Sequence, residues 1–359
     1  MKLGLLAGAV LISLASLAQA QGKKYKIFLV SSYHREYLWD QDLHDGTCAA
    51  LIEAGALDSK AQCDELAKND SVETSAVSVK KAWMDTKRKN QKPQIIEIAA
   101  NLKVEIDKFG PDVLIISDDN GTNYLGNLYK GSKLPVVFCG VDETPVKYGL
   151  VESAEKPGNN VTGIYQRGYY KDAAEALMKI VPGLKTFGIL SDDSESGMAK
   201  VNGIQSVDMP LKLGGVVHTN SYKEFQEKAI ELSKKVDAIL IVNHNTLKDD
   251  AGQPVDQMKV GNWYLNTIKK PDFSSEKQFV QEGVLLVAED SAYRQAYAAV
   301  KMAYRILKRG DKPAGMATQR PPRGPIIVNR KRAEMLGIKL GEKAAEQFID
   351  KALALETKS

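Results

Sequence analysis

Short polar side chains gather wherever an apolar run of this 359-residue chain stops. Asp118, Asp119 and Asn120 follow VLIIS, Asp142 follows VVFCGV, Asp192 and Ser194 follow TFGILS, Asn243 and Asn245 follow AILIV, and Glu289 and Asp290 follow GVLLVA. Ser32 and Tyr33 follow the first such run, YKIFLV, with Trp39 just beyond, and Gln166 follows VTGIY. So many carboxylates and amides suit capture of an ammonium group and disfavour phosphate or sulfate. Any one Ser, Asp or Asn here is also a helix N-cap candidate. The two roles are compatible, because a helix N-terminus offers free N–H groups to a carboxylate. Tyr33 and Trp39 offer an apolar or cation–π wall. An amino acid or other amine fits this set; sugars and nucleosides use the same residue types.

Catalysis is the rival chemistry. GxSxG, HExxH, P-loop and GxGxxG patterns do not occur, and the four histidines are scattered. His34 and His244 are the acid–base pair such a cleft could hold; a histidine there more often serves as a hydrogen-bonding group, and no catalytic residue is assigned. Asp40, His44 and Cys48 repeat at i, i+4 on one helical stripe, but no CxxC or HxxxH cluster supplies further ligands. No metal and no cofactor is expected. Cys48 on the first expected helix and Cys63 at the next expected strand are spaced so that a disulfide could join them in an oxidising compartment. Cys139, inside VVFCG, reads as a small buried hydrophobe.

Composition narrows the class. Hydrophobic residues make up 43% and charged residues 26%, the balance of a globular protein. The net charge of +4 arises from 49 basic and 45 acidic residues without a basic block, which argues against nucleic acid as a partner. Lys2, the apolar stretch Leu5 to Leu17 and Ala18-Gln19-Ala20 form a secretory signal with its cleavage site over residues 1–20. With no cysteine at the cleavage point, a lipid anchor is not expected. An exported monomer, periplasmic in a bacterium with two membranes, is the expectation.

The elements that must position these residues alternate. Strands are expected over Tyr25 to Val30, Val113 to Ile116, Pro135 to Val141, Val161 to Tyr165, Phe187 to Leu190, Gly215 to Thr219, Ala238 to Val242, Gly283 to Ala288 and Ile326 to Asn329. Helices are expected over Leu38 to Ala54, a long region from Val79 to Phe109, Lys171 to Val181, Met198 to Met209, Phe225 to Val236, Ala292 to Leu307 and from Arg330 on. Strands separated by helices imply parallel pairing with right-handed crossovers. Ligands then sit at the carboxyl ends of the strands, where the polar residues fall. At Pro157-Gly158-Asn159-Asn160 and again at Arg320-Pro321-Pro322-Arg323-Gly324-Pro325 the chain passes between folding units.

PVVFCGVDETP, the later GLV and GNNVTGI, the helix end IVPGLK before TFGIL, and the tail AYRILKRGDKPA before IIVN together resemble the exported ABC-importer substrate-binding proteins of the tryptophan/tyrosine-type family. The resemblance covers about residues 25 to 340. It implies an α/β fold of the type I periplasmic-binding-protein kind, two doubly wound parallel-sheet lobes joined by three crossings, with a small polar ligand between them and an ABC permease as partner. One lobe is expected over 21–145 and 282–318, the other over 146–281 and 319–359. The front segment SSYHREYLW is similar to sensor ectodomains of the same fold, which keeps delivery to a membrane receptor open.

Overall fold

The computed structural model describes residues 23–356, and the expected export signal at residues 1–20 lies outside them. The first lobe begins with β1 (Tyr25–Ser31), α1 (Leu38–Glu53), α2 (Lys60–Asn69), β2 (Ser71–Glu73), β3 (Val77–Trp83) and α3 (Lys92–Phe109). It continues with β4 (Val113–Ser117), β5 (Val136–Val141) and β6 (Val161–Tyr165). Its sheet has the order β2-β3-β1-β4-β5-β6, and only the β2–β3 pair is antiparallel. β4 and β5 are buried along their whole length, as their unbroken apolar runs require of central strands covered on both faces.

The chain then builds α4 (Tyr170–Ile180), β7 (Thr186–Ser191), α5 (Glu195–Gln205), β8 (Lys212–His218) and α6 (Tyr222–Ser233). β9 (Ala238–Ile241), α7 (Gln257–Thr267), β10 (Asp272–Ser274), α8 (Lys277–Glu282) and β11 (Leu286–Ala288) follow. α9 (Ala292–Arg309) returns to the first lobe, and β12 (Ile326–Asn329) and β13 (Gln347–Ile349) complete the second sheet, ordered β13-β12-β11-β10-β9-β7-β8. β12 runs antiparallel to β11, so the tail closes one edge against the direction of the rest. Beneath it Arg332, fully buried, pairs with Asp272 at 2.5 Å and donates to the Leu265 and Ile268 carbonyls.

Each sheet carries helices on both faces. In the first lobe one apolar layer joins Leu43, Leu51 and Leu66 to Val300 and Ile306 of α9, and the other joins Ile95, Leu102 and Ile106 to Phe28, Leu114 and Phe138. Each such aliphatic side chain contributes roughly 1.5–3 kcal/mol by leaving water. α9 presents Ala292, Ala296, Ala299 and Ala303 inward, and α1 presents Gly46, where an added Cβ would overlap the Tyr293 carbonyl. Small residues on both helices thus set a close approach.

Three expectations are corrected. The region from Val79 is not one long helix: Val77, Val79 and Lys81 bury alternately as strand β3, and the helix starts only at Lys92. Asp85 in left-handed backbone (φ 57) and the Gln91/Gln94 capping box separate the two. Cys63 lies on helix α2, not on a strand. The crossings fall later than the boundaries at 146 and 282, because β6 pairs with β5 in the first sheet and β11 with β10 in the second. The chain crosses after Tyr165, after Ala288 and after Gln319, which bridges Ile164.

Candidate functional site

The carboxyl ends of both sheets face one another, and a chain of buried polar groups runs between them. Gln295 of α9 donates to Asp290 at 2.9 Å and to Gln166 at 3.0 Å, and accepts from the Gly140 N–H. Gln166 donates to Asp142, which lies 3.3 Å from the Lys200 ammonium of α5. Lys200 also pairs with Glu276, which accepts from Gln278 at 2.7 Å. Gln278 and Asn245 both donate to the Tyr37 hydroxyl, at 2.9 and 2.6 Å. Asp142 and Tyr37 come from the first lobe, while Lys200, Glu276, Gln278 and Asn245 come from the second. The lobes are therefore shut on each other, with Lys277–Asp42 at 2.7 Å and Asn123–Glu195 at 3.0 Å at the margins.

Lys87 is the other buried cation here. It follows β3, lies over the Tyr33 ring at 4.2 Å and the Tyr37 ring at 5.4 Å, and makes no hydrogen bond or ion pair among the described residues. Burial lowers its pKa, and Asp192, Glu276 and Asp118 around it pull the other way. Burial comes first among the causes that raise the carboxyl groups of Asp118 and Asp290, the latter to about 7. Lys200 loses solvation too, yet Asp142 and Glu276 outweigh that and hold its pKa well up. Several buried oxygens in this zone accept no hydrogen bond: Asp118 Oδ2, Asn120 Oδ1, Asn245 Oδ1, Gln278 Oε1 and Asp290 Oδ2. Buried polar atoms without partners are costly, so their concentration marks the place a polar ligand would complete. A cavity of 250 Å³ opens at the junction between Asp142, Lys200, Tyr170 and Arg320.

The expected residues divide by role. Tyr33, Asp118, Asp142, Gln166, Asn245 and Asp290 stand in the polar junction. Trp39 stands behind it and fixes Asp118 through its indole N–H at 2.8 Å. Asp118 itself adopts left-handed backbone at φ 64. Ser32 is scaffold, donating to the Ser117 carbonyl and accepting from the Gly121 N–H. Asp119 accepts from the Asp142 and Glu143 N–H groups and the Tyr148 hydroxyl, all within the first lobe. Asp192 likewise gathers N–H groups of Ser194, Asn245 and Thr246. Ser194 caps α5, and Asn243 joins it to Asn245. Asn120 holds Thr86 at 3.0 Å, and Glu289 packs beside Gly324 at the third crossing. His34 and His244 do not meet: the first lies 3.6 Å from Asp85 and the second 2.9 Å from Glu282, in separate lobes. Cys48 and Cys63 are free thiols, and Cys139 is buried in β5.

Lys87, Lys200, Tyr37, Gln278 and Gln295 were not anticipated. Lys87 was hidden because β3 read as helix, so the turn after it was not recognised as a strand end. Lys200, Gln278 and Gln295 lie inside helices, where a sequence pattern offers no means of telling an inward from an outward polar residue.

The sequence of residues 77–348 matches the model of the family described as ABC transporter substrate binding protein. A tyrosine-binding protein of Clostridioides difficile (strain R20291) is 27% identical over 192 residues, which is 50% of this chain and 51% of that protein. The chain thus matches about half the length of that curated relative. Among solved structures, an ABC domain in complex with L-Trp from Streptococcus pneumonia has a TM-score of 0.68 at 20% identity, covering 91% of this chain and all of that one. A ligand-free, open substrate binding protein with adhesive properties from Clostridium difficile has a TM-score of 0.64 at 19% identity, covering 90% of this chain and 99% of that one. At these identities the likeness is one of fold, the type I periplasmic-binding-protein arrangement of two α/β lobes. No helix among the described residues is long and apolar enough to cross a membrane.

Proposed function

The chain belongs to the ABC transporter substrate binding protein family, and we propose that its ligand is a free amino acid, held between the lobes and handed to an ABC importer. One observation carries the reading. Lys87, a buried cation with no hydrogen-bond or ion-pair partner among the described residues, stands against an aromatic ring within a zone where Asp118 and Asp290 each keep one buried oxygen that accepts nothing. In this reading the ligand carboxylate meets Lys87, its ammonium meets Asp118 and its neighbours, and Tyr33 and Tyr37 flank its side chain. The tyrosine-binding relative points to the same ligand class.

The groups come from both lobes, so a ligand touching all of them favours the shut form by its differential affinity for that state. A micromolar complex needs about 8 kcal/mol net, within reach of a few charge-assisted hydrogen bonds and one aromatic contact. The test is titration calorimetry of the full chain with each of the twenty L-amino acids. Binding of at least one at about micromolar Kd is expected; no heat with any of them, alongside binding of a sugar, would overturn the amino-acid reading.

A further inference from the structure

We propose that Cys48 and Cys63 are the site of an intramolecular disulfide that staples α1 to α2 on the outer side of the first lobe. Cys48 lies in the middle of α1, Cys63 in the first turns of α2, and both belong to the same buried apolar layer as Leu51 and Leu66. Both line one cavity of 760 Å³ between the two helices, whose mouth also carries Gln41, Lys60 and Asp64, so a small oxidant reaches the pair from solvent. His44, one turn before Cys48 on the same helix, places its Nε2 3.5 Å from the Cys48 sulfur. Cys139 takes no part: it is enclosed in strand β5, which is buried along its whole length.

The chemistry balances with a disulfide as the oxidant. The Cys48 thiol gives up its proton to a base from solvent, with His44 Nε2 beside the sulfur at 3.5 Å. The thiolate attacks one sulfur of glutathione disulfide, forming a mixed disulfide and releasing one glutathione thiolate, which takes up a proton. Cys63 loses its proton and attacks the Cys48 sulfur, closing the protein disulfide and releasing the second glutathione. Two thiols are oxidised and one disulfide is reduced. Burial pushes both thiols above the ordinary cysteine range. A reduced pair that gains little from ionisation gives a bond that resists reduction, which marks it as structural rather than catalytic.

The test refolds the reduced full chain in a glutathione redox buffer and maps its peptides. Expected are a Cys48–Cys63 cross-linked peptide, an intact mass lower by two hydrogen atoms, and one remaining free thiol, on Cys139. The oxidised chain should melt roughly 5 °C or more above its own reduced form, as closing a loop of this length predicts. A Cys48→Ala/Cys63→Ala chain should melt at the same temperature with and without reductant. Three free thiols after refolding, a bond involving Cys139, glutathione left on Cys48 without ring closure, or equal melting of oxidised and reduced chains would each overturn the proposal. Calorimetry with amino acids on the same samples keeps this result separate from that of the interlobe site.

Discussion

The Asn245 amide of the second lobe donates to the Tyr37 hydroxyl of the first at 2.6 Å, and Gln278 donates to the same oxygen at 2.9 Å. Two donors from one lobe thus converge on one acceptor of the other, and both lose it when the lobes part.

Tyr37→Phe should therefore act on closure alone. The ring keeps its edge contact with Tyr33, at 5.2 Å between centroids, while two buried N–H groups lose their acceptor in the shut form. The cost is about 1–3 kcal/mol in that form, seen as an affinity loss of roughly 5- to 150-fold. Small-angle scattering should show a larger mean radius without ligand. Unchanged affinity with an unchanged radius would mean that the bond does not govern closure.

Lys87→Met separates binding from stability. The substitution removes an ammonium that has no partner and suffers from burial, so the melting temperature should hold or rise. Amino-acid affinity should fall by about 3 kcal/mol, the loss of one buried charge-assisted contact. Calorimetry and thermal melting on the same sample decide it, and retained affinity would place the ligand elsewhere.

Asp119→Ala should do the reverse. Its carboxylate ties the turn after β5 to the end of β4 through two N–H groups and the Tyr148 hydroxyl. Denaturant unfolding should show a loss of about 2–4 kcal/mol, with near-normal affinity in the folded fraction. Lost binding at full stability would return Asp119 to the ligand.

The pH dependence has a definite sign. Burial, followed by Glu276, pushes the Asp290 carboxyl from 3.8 up to about 7. Between those values the folded chain holds a proton that the unfolded chain has released, so this group's contribution is full below pH 3.8 and is lost as pH rises towards 7. Asp40, raised to about 6 mainly by burial, adds to the same trend. Asp290→Asn keeps an acceptor for Gln295 and should flatten the fall in melting temperature across that window. An unaltered slope would assign the effect to other groups.

Much of this was legible in the residues. Apolar runs such as VLIIS and AILI read as buried strands and are so in the fold, and the polar residues that end them lie where strand ends meet. Roles were harder to read. Asp119 and Asp192 look like ligand groups in sequence, yet each spends its oxygens on nearby backbone, since a carboxylate beside free N–H groups satisfies them first. Lys200 and Gln295 gain their meaning only when helices far apart in sequence bring them against Asp142 and Gln166. Lys81, inward on β3, breaks the apolar–polar alternation by which a strand is recognised from its residues.

The close seating of α9 on α1 has a bearing on the order of synthesis. The helix that completes the first lobe's core ends at Arg309, and the second sheet is completed only by Ile349. A growing chain can finish neither unit until its last quarter has emerged. Until then the first lobe holds only the layer that Ile95, Leu102 and Ile106 form with Phe28, Leu114 and Phe138, and its other face waits for a helix made more than a hundred residues later.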